Sequence, residues 1–124
     1  MKISQESGVP IYQQIATQLR NEILDGKIAS GEFLPSIRGL AKELKISVIT
    51  TMKAYELLEK EGLVTAVQGK GFLVRQQDCE MVKEQYRRKV EAHLTEALLA
   101  AKPAGMTLEE MITTLRILES EKGE

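Results

Sequence analysis

The chain has 124 residues, 43% hydrophobic and 28% charged, a composition that suits one small folded domain with an appendage and excludes a disordered polymer. No apolar run reaches the roughly 18 residues of a membrane-spanning helix, the N-terminus lacks the apolar core of a signal peptide, and a lone Cys79 cannot form an internal disulfide; a cytoplasmic protein with no membrane partner is expected. The net charge of −1 counts against bulk attraction to nucleic acid, but it is uneven: residues 1–75 hold 10 Lys/Arg against 8 Asp/Glu, and residues 76–124 hold 7 against 10.

Pro10 opens the first periodic segment, as the first helical residue. Ile11, Ile15, Leu19 and Ile23 recur every fourth residue and share one helical face, and Gly26 lies just past its end. Lys27–Pro35 reads as a loop with a short strand near Phe33. Ser36 is an N-cap, and Ile37, Leu40, Ala41 and Leu44 trace a short amphipathic helix. Lys45-Ile46 is a turn. Ser47 caps a third helix running to about Glu61, with Thr51, Ala54, Tyr55 and Leu58 as its buried face and Gly62 as its stop. Two short helices joined by a tight turn, the second longer, form the helix-turn-helix pattern.

The period then changes. Leu63–Val67 and Phe72–Arg75 are β-rich runs around Gln68-Gly69-Lys70-Gly71, which predicts a hairpin, or wing. From Gln77 the pattern is helical again over about 24 residues. Val82, Tyr86, Val90, Leu94, Leu98 and Ala101 keep near-fourfold spacing until Pro103 and Gly105 break it. Thr107–Glu110 is a capping box, and Leu108, Met111, Ile112, Leu115 and Leu118 form the stripe of a last short helix. The expected fold is mostly α with a small β-hairpin wing: a winged helix-turn-helix in residues 1–75 and a two-helix arm in residues 76–124.

A major groove admits a helix whose tip is small. Ser47, Val48, Ile49, Thr50 and Thr51 supply such a tip, with hydroxyls for phosphates or base edges and β-branched side chains for thymine methyls. The helix N-terminus adds free N–H groups and a positive dipole end. Arg38, on the face of the second helix opposite Leu40 and Leu44, reaches a base edge or a phosphate, or else pairs with a surface carboxylate such as Glu32. Ser36 is counted with this surface. Lys53 and Lys42 are candidate phosphate contacts. Gly69 and Lys70 at the wing tip suit a backbone or minor-groove contact, since glycine allows close approach.

With these stretches assembled, residues 10–75 resemble the winged helix-turn-helix domain of the GntR family of bacterial regulators. The matching segments are Pro10-Ile-Tyr-Gln-Gln-Ile15, Leu34-Pro-Ser-Ile-Arg38 with Leu40-Ala41, Ile46-Ser-Val-Ile-Thr-Thr51, Ala54–Val64 and Gly69-Lys-Gly71. A short two-helix tail resembles the YtrA subfamily. The resemblance implies DNA contacts at Arg38, at Ser47, Val48, Ile49 and Thr50, and in the wing at Gln68 and Gly69. It also implies a dimerising tail and regulation of a transporter operon. The chain departs from the family at Val48 and Met52, where many members carry arginine, and at Gly39, a poor helix former that costs up to about 1 kcal/mol relative to Ala.

A thin appendage cannot bury its own stripe, so Val82, Tyr86, Val90, Leu94, Leu98, Leu108, Met111, Ile112, Leu115 and Leu118 are expected to pack against a second copy. The alternative is a long helix folded back on its own winged helix. The expected function is a homodimeric repressor bound to a palindromic operator on double-stranded DNA; a winged-helix protein–protein adaptor is the alternative. A small-molecule effector, if the protein has one, would bind near Gln76–Glu80 or between subunits. With one histidine, His93, and no nucleophile–base pair, phosphate loop or metal-ligand set, neither an enzyme nor a cofactor is expected.

Overall fold

The computed structural model describes residues 1–122, apart from the side chains of Cys79 and Lys122. Its elements in chain order are α1 (Ile11–Leu24), α2 (Ile37–Leu44), α3 (Val48–Lys60), β1 (Val64–Val67), β2 (Gly71–Val74), α4 (Cys79–Ala104) and α5 (Leu108–Lys122). They fall into two units, Met1–Cys79 and the residues from Glu80 onward. Residues 75–77 belong to the first unit. The Arg75 N–H donates to the Leu63 carbonyl at 3.0 Å, and Gln77 Nε2 donates to the Gly62 carbonyl at 3.0 Å.

The core of the first unit is built on the stripe of α1. Ile15, Ala16, Leu19 and Ile23 are buried, and Ile11 is half-buried at the rim. Leu34, Leu40, Tyr55, Leu58, Leu63, Val64 and Val74 close around them. Pro10 is the N-cap and not the first helical residue. Its backbone is extended, and its carbonyl already accepts from the Gln13 and Gln14 N–H groups. The ladder therefore starts one residue later than the sequence suggests.

Helices α2, α3 and α4 end by one shared device. The N–H just past the helix end returns to the carbonyl five residues back: Ile46 to Ala41, Leu63 to Leu58 and Met106 to Ala101, at 3.0, 3.1 and 3.0 Å. This closure needs a left-handed residue just before it. Gly62 and Gly105 supply that conformation freely. In the helix-turn-helix turn the same place is held by Lys45, at φ 58°, a conformation that costs an L-residue roughly 1–2 kcal/mol. The turn is therefore shaped by packing on both sides and not by the preference of its own residue.

Gly39 has a structural use that helix propensity alone conceals. Its N–H donates to Ser36 Oγ at 3.0 Å, and a Cβ added there would lie 2.7 Å from that same oxygen. The glycine keeps the N-cap of α2 intact.

The wing is antiparallel, with Val64 opposite Val74 and Val67 opposite Gly71. The expected strand near Phe33 is a single bridge, Phe33 to Leu73. It is held on both sides, by the Leu34 N–H to the Phe72 carbonyl at 2.9 Å and the Val74 N–H to the Glu32 carbonyl at 2.8 Å.

In the second unit α4 runs through Pro103, where the sequence predicts a break. Proline removes one backbone donor and disfavours a helical residue before it. Here it falls in the last turn, so one bond is lost and Gly105 sets the stop. The predicted capping box is formed: the Thr107 N–H donates to Glu110 Oε1 at 2.8 Å, and the Glu110 N–H to Thr107 Oγ1 at 3.1 Å. Among the described residues no helix is long and apolar enough to cross a membrane.

Lys45→Gly removes the left-handed penalty and adds unfolded-state entropy. The expected net gain is about 0.5–1 kcal/mol, read as a higher urea midpoint at unchanged slope.

Candidate functional site

Helix α3 is two-faced. Thr51, Ala54, Tyr55 and Leu58 are buried, while Val48, Ile49, Met52, Lys53 and Glu56 are exposed. Thr51 thus leaves the set of contact residues. It is 0% exposed, and its hydroxyl donates to the Ser47 carbonyl at 3.2 Å inside the helix. The physical reason is helical period: Thr51 shares a face with Ala54, Tyr55 and Leu58, and that face is the core.

Ser47 and Thr50 stay at the open end. Ser47 Oγ accepts the Thr50 N–H at 3.0 Å and shares a hydrogen bond with Thr50 Oγ1 at 2.8 Å. That pair uses one of the two hydroxyl hydrogens and leaves the other for an outside acceptor. Ser36 is exposed and its oxygen caps α2. Arg38 is exposed one residue into that helix and forms no ion pair with any described residue. Glu32, its candidate partner, instead accepts the Ala29 N–H at 2.6 Å. Lys53 is less free than its sequence position suggests, because its Nζ lies 4.2 Å above the Tyr12 ring of α1. Lys42 is exposed in the last turn of α2.

At the wing tip Gln68, Gly69 and Lys70 are all exposed. The Lys70 N–H closes the turn on the Val67 carbonyl at 2.9 Å, and Gly69 takes φ 77°, which an L side chain would resist.

Long-range contacts fasten these three exposed places to one frame. The Tyr55 hydroxyl donates to the Pro35 carbonyl at 2.8 Å, tying α3 to the residue before the α2 cap. The Tyr55 ring meets Phe72 of β2 edge to face, centroids 5.3 Å apart. Glu59 Oε2 accepts the Ala66 N–H of β1 at 3.2 Å. Arg20 of α1 grips Glu61 with two parallel bonds of 2.9 Å, behind α3. None of these partners follows from local spacing. Burial raises the Tyr55 phenol above its ordinary range, because the phenolate would lose its water.

In the second unit Val90, Leu94, Leu98, Leu108, Leu115 and Leu118 are exposed in the single chain, and Val82, Tyr86, Met111 and Ile112 are half-buried. Helices α4 and α5 line an open, almost wholly apolar groove of about 520 Å³. The sequence reading followed one fourfold line and missed Leu99 and Ile117, which are also exposed. Each lies about 100° around its helix from the leucine beside it and outside the lining of the groove. His93 pairs with Glu96 at 3.4 Å on the surface of α4. No group of three metal-ligating side chains occurs among the described residues.

Three comparisons bear on this arrangement. Residues 11–74 match the model of the family described as bacterial regulatory proteins, gntR family. The chain is 31% identical over 111 residues to the transcriptional repressor YtrA of Bacillus subtilis, covering 90% of this chain and 85% of that one. Among solved structures it is similar to YtrA from Sulfolobus acidocaldarius, a GntR-family transcription factor, with 36% identity and a TM-score of 0.65 over 79% of this chain and 96% of that one. It is also similar to the AraR DNA-binding domain solved with operator ORX1, with 30% identity and a TM-score of 0.52 over 60% of this chain and 89% of that one.

Tyr55→Phe should cost about 0.5–1.5 kcal/mol at neutral pH, the worth of one hydrogen bond. The raised phenol also sets a pH dependence. The folded state holds this proton more tightly than the unfolded state, so its contribution is complete below an unfolded value of about 10 and falls as pH rises above it. Denaturant titrations of the two proteins should therefore converge above about pH 10. A constant gap would remove Tyr55 from the alkaline transition.

Proposed function

The chain belongs to the GntR family of bacterial regulatory proteins, and on that premise we propose that this DNA-binding transcription regulator acts as a homodimeric repressor on an operator of two-fold symmetry. The observation that carries the reading is the division of α3. Its inner face is locked by Thr51, Ala54, Tyr55 and Leu58, which leaves Ser47, Val48 and Ile49 exposed at the helix start and Thr50 half-buried, while Arg38 of α2 is exposed as well.

Such a tip enters a major groove with its N–H groups and dipole toward phosphate. Arg38 is the side chain suited to a bidentate contact with guanine or a phosphate. Gln68, Gly69 and Lys70 follow the neighbouring backbone or minor groove, and Ser36 and Lys42 serve as phosphate contacts. Lys53, held over Tyr12, is a weaker candidate.

The dimer follows from the apolar stripe of the second unit. Two copies that bury Leu94, Leu98, Leu115 and Leu118 against each other remove a surface too apolar to leave in water. A closed pair of copies carries two-fold symmetry, and the two α3 tips then match half-sites about 34 Å apart, or a multiple of that. A DNA target places the protein in the cytoplasm. The relatives in the comparisons are regulators, and no catalytic role is proposed.

Footprinting over DNA upstream of its own gene should show two protected half-sites at moderate salt. Arg38→Ala should weaken specific binding by about 1–3 kcal/mol; unchanged operator affinity would take Arg38 out of the interface. Binding without sequence preference would favour an adaptor. Leu98→Glu should sediment as a monomer with the winged unit still folded, and dimers that persist would place the interface elsewhere.

A further inference from the structure

The outward face of α3 begins with side chains that cannot form a hydrogen bond. Val48, Ile49 and Met52 are all exposed, and Ile49, at 80%, is the most exposed large apolar residue among those described. None of the three belongs to the core cluster or to the residues packed against it. The first basic residue of α3 is Lys53, already seated over Tyr12. This helix therefore presents little that could read guanine and much that could read an apolar base edge.

We propose that the α3 tip recognises thymine through its 5-methyl group, so that the half-site core is methyl-dependent; this rests on the DNA-binding reading above. Thymine is the one base that offers a methyl in the major groove. Guanine and adenine would place polar edges against Val48 and Ile49 and lose hydrating water without replacement, and cytosine offers only a C5–H where thymine has its methyl. The apolar tip thus selects by attraction and by exclusion. Val48 and Ile49 suit the task because a β-branched residue in a helix keeps nearly one χ1 rotamer, which presets its methyls. Met52, one turn on, is unbranched and adapts to what the first two leave open. The hydroxyls of Ser47 and Thr50 flank the patch for phosphate or polar edges.

The test uses the full-length protein in two stages. Selection from random DNA first yields the half-site. Each thymine is then replaced by deoxyuridine, which removes only the methyl. At one or more positions the substitution should weaken wild-type binding about fourfold, the equivalent of one buried methyl-sized group. Ile49→Ala should bind the thymine and uracil versions of that site equally. Where cytosine replaces that thymine, 5-methylcytosine should recover part of the loss. Specific binding indifferent to uracil at every position overturns the methyl inference and leaves the DNA reading standing. A uracil effect that persists undiminished in Ile49→Ala, Val48→Ala and Met52→Ala also overturns it. Selection that yields no preferred sequence overturns both.

Discussion

One hydroxyl and one ring, both on Tyr55, hold the three exposed parts of the first unit in register. The hydroxyl reaches the Pro35 carbonyl, 20 residues earlier in the chain, and the ring meets Phe72, 17 residues later. The first contact places the start of α2 relative to α3, and the second places the wing. Successive residues turn 100° around a helix, so burying Tyr55 with Thr51, Ala54 and Leu58 also decides what faces outward. The exposed tip of Ser47, Val48 and Ile49 is the complement of that buried face. The position of the site is thus a consequence of core packing.

Charge is spent sparingly in this chain. Arg20 is engaged by Glu61 across the back of α3, and Lys53 by the Tyr12 ring. Arg38 and Lys42 of α2, Lys45 of the turn and Lys70 of the wing remain exposed, in a chain whose net charge is −1. Broad electrostatic attraction to a phosphate backbone is therefore weak, and binding must lean on shape, on hydroxyl contacts and on apolar complementarity. A dimer meets the same need, because two modest half-site interactions held in one body act with high effective concentration.

The second unit stands in a different physical position. Two helices present more apolar surface than they can cover between them: Ala101 is buried, while Leu98 and Leu99 beside it are exposed. That exposed stripe is the surface the proposed symmetric copy would cover.

Most of the elements were legible in the sequence because their signals are local. Ser36, Ser47 and Thr107 cap the helices they were expected to cap, and Gly62 and Gly105 end helices where a left-handed residue is needed. The buried face of α3 followed from its period alone. What local signals could not decide was any matter on which two readings of one residue competed. Thr51 lies at the tip by position and in the core by period, and packing resolved it toward the core. Lys45 adopts a glycine-like conformation that its type disfavours, since closure of the turn outweighs the strain. Pro103 remains helical because the last turn has few bonds left to lose. Which cations are engaged depended on partners far apart in sequence, Arg20 with Glu61 at 41 residues and Lys53 with Tyr12 at the same separation. Period and capping act over a few residues and are written in the sequence itself. The choice of long-range partners, and with it which side chains remain free to touch DNA, is made only when α1, α3 and the wing are brought together.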